Sequence, residues 1–235
     1  MSDSIYFNSV AMDTVAPVKI IDVHVSPINL SPVSRPRPVV FGADFVRLQG
    51  GTRTVTISFA LLTNNITTRQ TQLRALTAWA RSDTPKQLTL PWHENLYLEC
   101  LCTALPDPST REWWESPLTI QFTTFDNPYW TSTTEKSEAC GTAFTVAGSA
   151  PPLMRITRTL SDAATDQSYS DGTDTMTFST IPAGDMVIDL NRQTAAVGSS
   201  SIMQYYTYAS TFIVPATGTH TITGTGSIAW RERWE

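Results

Sequence analysis

Asp107, Glu112 and Glu115 are the residues with which this 235-residue chain could most readily do acid–base chemistry. Two carboxyl groups held roughly 5–9.5 Å apart can cleave a glycosidic bond, one of them protonating the leaving oxygen. All three fall in a stretch opened by Pro106-Asp107-Pro108-Ser109, which reads as a loop, where carboxylates are ordinarily only solvated. His24, His93 and His220 are too scattered for a metal site to be argued from spacing. No Gly-x-Ser-x-Gly elbow, phosphate-cradling glycine loop or His-Glu-x-x-His helix occurs. Asn65-Ile66-Thr67 matches a glycosylation acceptor, idle in a chain without a secretory signal. The expectation is a protein with no catalytic residues, no metal and no cofactor.

Recognition is the other chemistry on offer. Trp92, Trp113, Trp114, Tyr129 and Trp130 all sit near loop positions. Such rings anchor protein interfaces or stack on sugars, or else close the open ends of a β-barrel. Adjacent residues of an extended chain point to opposite sides, so one of Trp113 and Trp114 is expected to face outward. Arg35-Pro36-Arg37-Pro38 reads as an extended basic arm, either solvated or set against an acidic neighbour. Trp113, Trp114, Arg35 and Arg37 are therefore the candidate partner or glycan contacts. Cys100 and Cys102, two apart on a strand, share a face and form poor disulfide geometry, and Cys140 has no obvious mate. Buried, reduced thiols are expected.

The elements that would position these residues are mostly strands. Arg53–Leu62 alternates, with Val55, Ile57, Phe59 and Leu61 on one face, until Asn64-Asn65 stops it. Thr67 and Gln70 have capping-box spacing, and Leu73, Leu76 and Ala80 form an apolar stripe, which predicts a helix over 68–81. Gln87–Leu90 and Leu96–Thr103 read as paired strands, followed by Leu118–Phe125. Before these, Lys19–His24 and Val39–Phe41 look strand-like, but Pro27, Pro32, Pro36 and Pro38 argue against a continuous ladder between them. After Trp130 the pattern weakens, and Gly148-Ser149-Ala150-Pro151-Pro152 reads as a linker. Strands are expected beyond it at 153–159, 175–178, 186–190, 195–197, 211–214, 219–223 and 227–231. That spacing predicts a small antiparallel sandwich. The domain division is thus 1–147 and 148–235.

Composition narrows the partners. Charged residues are 16% of the chain, below the usual quarter, which suggests surface covered by neighbours. The net charge is −5; residues 1–137 hold 11 basic and 12 acidic side chains and the remainder 5 and 9, so neither half is a basic module. Direct nucleic-acid recognition, which needs clustered Lys and Arg, is not expected. Nor is membrane insertion, because no apolar run approaches the ~20 residues required. Met1-Ser2-Asp3-Ser4 does not open a signal peptide, which predicts synthesis in a cytoplasm.

The order of these elements resembles a known family, the distal tail (Dit) proteins of long-tailed siphophages. The resemblance rests on Arg53–Phe59, the helix ending Leu76-Thr77-Ala78-Trp79, Gln87–Leu90, Tyr97–Cys100 and the closing run Ile120–Trp130 with its Asp126-Asn127-Pro128-Tyr129. Ala183–Leu190 running into Asn191-Arg192, and Phe212–Pro215 before Gly218–Gly224, extend it through the second half. It implies a mainly β chain: an N-terminal β-barrel-like (split-barrel) domain with one helix and an extended hairpin, then a C-terminal galectin-like sandwich. It also implies a hexameric ring at the phage tail tip, part of the baseplate of the virion, between the tail tube protein and the tail-tip hub protein, near receptor-binding or tape-measure proteins. The alternative from the residues alone is a carbohydrate-binding adhesin module recognising a host cell-wall glycan.

Overall fold

In chain order the first elements are β1 (Tyr6–Phe7), β2 (Val10–Ala11), α1 (Met12–Val15), β3 (Val18–Val25), β4 (Leu30–Pro36), β5 (Ala43–Gly50) and β6 (Thr54–Leu61). Then come α2 (Ile66–Ala80), β7 (Lys86–Thr89), β8 (Leu96–Ala104) and β9 (Leu118–Thr124). The computed structural model describes residues 4–36, 43–63, 65–93, 95–106 and 117–235, with backbone alone over 30–50. The chain divides into two compact units, Met1–Trp130 and Thr131–Glu235.

In the first unit the predicted alternation organises everything else. Val55, Ile57 and Phe59 on β6 are fully buried, and β6 lies between β3 and β9. The antiparallel sheet continues from β9 to β8, β7, β1 and β2. It curls strongly: the rings of Phe7 on β1 and Phe122 on β9 are 4.8 Å apart although β8 and β7 lie between their strands. Trp79 of α2 fills the curl, edge-on to Phe7 at 5.8 Å and to Phe122 at 6.1 Å, and its indole N–H donates to the Val10 carbonyl at 3.0 Å. Among the described residues β2 and β3 do not pair, so the barrel is not closed. The short α1, with Met12 fully buried, packs on α2 instead.

Two local expectations change here. Helix α2 begins at Ile66, because the Asn65 side chain accepts from the Thr67 and Thr68 amides at 2.9 and 3.2 Å and is itself the cap. The proline-rich stretch is also not a barrier to pairing. β4 forms an antiparallel hairpin with β5, running through Pro32 and Pro36, with a register shift between Val33 and Ser34. Proline lacks only the donor, so it is tolerated on a strand with one free edge and beside a bulge. Val39–Phe41 lies outside the described residues.

The second unit opens with β10 (Trp130–Ser132), which spans the division, and continues with β11 (Lys136–Ala139), β12 (Ala143–Val146), β13 (Ala150–Leu160) and β14 (Ala164–Ser170). Next are β15 (Thr175–Ile181), β16 (Gly184–Asp189), β17 (Thr194–Val197), β18 (Ser200–Ser201), β19 (Gly218–Thr221) and β20 (Ser227–Trp234). One layer runs β18-β17-β16-β13-β20-β11, all antiparallel. The β14–β15 hairpin and the β12–β19 pair meet through a bridge between Ser170 and Thr223. Met154, Ile156, Met186, Ile188, Ile228 and Trp230 of the first layer share one core with Phe144, Val146, Tyr169, Met176 and Phe178 of these pairs. The result is a β-sandwich.

The segment 148–152, expected as a linker, lies within this sandwich. Gly148 sits at φ +113°, and a Cβ there would collide with the Arg233 carbonyl, so this glycine serves a close backbone approach. Pro151 and Pro152 coincide with a register shift between β13 and β20. The preceding strands β11 and β12 pair with β20 and β19, which draws residues 131–147 into the second unit. Thr211–Val214 is not a strand: Phe212 and Ile213 are buried by packing, without a ladder. β16 and β17 are joined by a turn in which Asp189 Oδ1 accepts from the Asn191 and Arg192 amides at 3.0 and 2.9 Å. The turn leaves the exposed Gln193 at φ +53°. Gln193→Gly should therefore raise stability by about 0.5–1 kcal/mol, since left-handed backbone costs a side-chain-bearing residue roughly 1 kcal/mol. An unchanged or lower urea midpoint would contradict this.

Candidate assembly surfaces

The strands of the first unit define two ends. Leu61 of β6 lies towards the Leu118 end of β9, and Thr54 is opposite Thr123 at the other end. At the Leu61 end the chain exposes Leu62 (60%) and Ile66 (57%), the Leu62 amide donating to the Pro17 carbonyl at 2.8 Å. Leu105, just beyond β8, is exposed at the same end. At the Thr54 end stand the exposed Trp92 (55%) and Phe125 (50%). Large apolar side chains at both ends of one sheet are candidate anchors for partners.

The β4–β5 hairpin springs from the Thr54 end. Its root is stitched by the Ser26 amide to the Thr54 carbonyl at 2.8 Å and by the Asn29 amide to the Thr52 carbonyl at 3.2 Å. A Cβ on Gly51 would collide with the Asn29 carbonyl, which requires glycine where the two legs converge. β4 and β5 form a two-stranded sheet of their own. A two-stranded ribbon alone is at best marginally stable in water, so it needs a surface to lie on. Arg35 is on β4 in register with Asp44 of β5. Arg37, Trp113 and Trp114 lie outside the described residues, as do Asp107, Glu112 and Glu115. Of the four candidate contacts, the structure describes Arg35 alone, and that by its backbone.

The remaining aromatics and titratable groups have structural settings. Trp130 is buried and its ring lies 4.5 Å from that of His93. Burial first, then the positive charge of Arg53, hold the His93 imidazole below its usual pKa. His220 packs near Phe144 at 5.9 Å. Burial, reinforced by neighbouring Cys102 and Glu99, pushes the Cys100 thiol far above the ordinary range. Cys102 and Cys140 are free and only half-buried, so complete burial holds for one thiol of the three. Among the described residues no group of three or more His, Cys, Asp or Glu could hold a metal ion, and no helix is long and apolar enough to cross a membrane.

Several buried charged groups are not legible in the sequence, and Glu232 is one of them. Glu232 on β20 is only 6% exposed; it accepts from Lys136 Nζ at 2.7 Å and from the Ala147 amide at 3.0 Å. The signal available was its place in Ile228-Ala229-Trp230-Arg231-Glu232, a polar residue inside an otherwise core-forming strand.

No protein-family model matches the sequence, and no curated protein matches it significantly. Among solved structures the chain is similar to the SPP1 Dit (gp 19.1) protein, described as a paradigm of the hub adsorption apparatus in phages infecting Gram-positive hosts. Identity is 14%, 99% of each chain is covered, and the TM-score is 0.73. A chain of the phage P2 baseplate in its Ca-activated conformation aligns over 93% of this chain and 91% of its own, at 8% identity and a TM-score of 0.45, too low to indicate a shared fold. The chain has a Dit-like, mainly β fold along its whole length.

Proposed function

We propose that this chain is a structural component of a phage tail tip, not an enzyme. Copies close into a ring, six in number by the resemblance, between the tail tube and the tail-tip hub. The chain is made in the host cytoplasm, and receptor-binding or tape-measure proteins are further neighbours. The observation that carries this is the full-length likeness to SPP1 Dit, both units included. Fold alone does not fix function, so the surfaces must agree with it.

Three features support the reading. Among the described residues the β4–β5 ribbon has no third strand, and the body of a second copy is a chemically constant surface for it to cover. A ring repeats one heterologous contact, in which an arm on one protomer meets a different patch on the next. The exposed apolar residues at both ends of the first unit suit a ring stacked in series, one end towards the tube and the other towards the hub. Each contact between copies should bury more than roughly 1,000 Å². The arm and its receiving patch supply such an area more readily than two flat faces would.

Light scattering and negative-stain imaging of the purified protein test this. The expected result is a closed ring, either alone or on addition of the tail tube protein. A monomer that binds neither tube nor hub protein would overturn the reading.

A further inference from the structure

β11 is an unusual strand for its position, because all four of its residues are exposed. Among the described residues it pairs with β20 alone, Lys136 opposite Trp230 and Ala139 opposite Ser227. β20 also pairs with β13, which buries Met154 and Ile156. With no side chain buried, β11 lacks the term that holds most strands in place.

Charges hold it instead. Glu135 Oε1 meets Arg155 Nη2 at 2.8 Å, and its Oε2 meets Arg231 Nε at 3.5 Å. Arg231 Nη1 also donates to the Ser132 carbonyl at 3.1 Å and to that of Thr133. Lys136 Nζ meets Glu232 Oε1 at 2.7 Å. From Cys140 onward the attachment changes character: the Cys140 and Gly141 amides donate to the Gly226 and Ile222 carbonyls at 2.9 and 2.8 Å, and Phe144 and Val146 enter the core.

We propose that residues 133–139 form a charge-fastened strap over the edge of β20, which opens when its ion pairs are screened while the sandwich beneath stays folded. The side chains of Arg155, Lys136, Glu135 and Arg231 are each about a third to a half exposed, so salt reaches them. Opening bares the backbone donors and acceptors of Ser227–Trp230 along the outer edge of the layer. The hinge is Cys140-Gly141, with Gly141 at φ +89°, where the tethered segment begins.

Hydrogen exchange of the full chain, read by mass spectrometry at about 50 mM and about 1 M NaCl, tests this. Amides of 133–139 should exchange about two- to tenfold faster at high salt relative to those of 154–158 on β13, the range expected for losing exposed ion pairs. Glu135→Gln should give the same acceleration at low salt and make it insensitive to further salt. Two outcomes overturn the proposal: strap and β13 protection changing together, or strap exchange indifferent to both salt and the substitution.

Discussion

A variant in which residues 30–50 are replaced by an Asn-Gly turn should lose self-association while its first unit still folds. The root of the β4–β5 hairpin makes this cut practicable. Asn29 and Gly51 are already in backbone contact, with the Asn29 amide bonded to the Thr52 carbonyl at 3.2 Å, so a two-residue turn closes the gap. Among the described residues neither strand of the hairpin pairs with the curled sheet, so no ladder of β3, β6 or β9 is broken. If the arm reaches a second copy, removing it deletes one side of every contact in the ring at once. The expected reading in light scattering is complete conversion to monomer at concentrations where the intact chain forms rings, a loss of several kcal/mol per contact for an interface of ordinary size. Rings that persist without the arm would show that some other surface holds the copies together.

The second large effect is expected at Phe122. Its side chain is fully buried, and its ring touches both Phe7 of β1 and Trp79 of α2. It joins three elements that sheet pairing does not connect directly. Phe122→Ala leaves a cavity where the curled sheet meets the helix, at a cost of about 3–5 kcal/mol for a buried aromatic. The two ring contacts account for about 0.5–1.5 kcal/mol each of interaction beyond area burial. Urea unfolding followed by tryptophan fluorescence should show this loss, and exchange protection on β6 and β9 should fall with it. A loss below about 1.5 kcal/mol would mean that the curl is set by the ladders and not by the aromatic trio.

What could be read from the sequence follows from what each strand buries. β6, β9 and α2 are legible because their apolar residues recur with a regular period against one core, as Val55, Ile57 and Phe59 do. β11 was not visible because it buries nothing: its contribution is backbone ladder and charge, and neither leaves a hydrophobic rhythm. β4 was hidden for a different reason. Its prolines are evidence against a central strand but not against a ribbon with free edges. Gly148 looked like slack in the chain, yet its role is to let two backbones touch, and a single sequence cannot distinguish those uses. The Leu62–Ile66 and Trp92–Phe125 ends required the strand directions, because in sequence each pair is split by a helix cap or a whole hairpin.

β11, the first strand that lies wholly within the sandwich, pairs with β20, the last strand of the described chain. The first and last strands of the sandwich thus meet at one edge, and its core is assembled entirely from residues between Phe144 and Trp230.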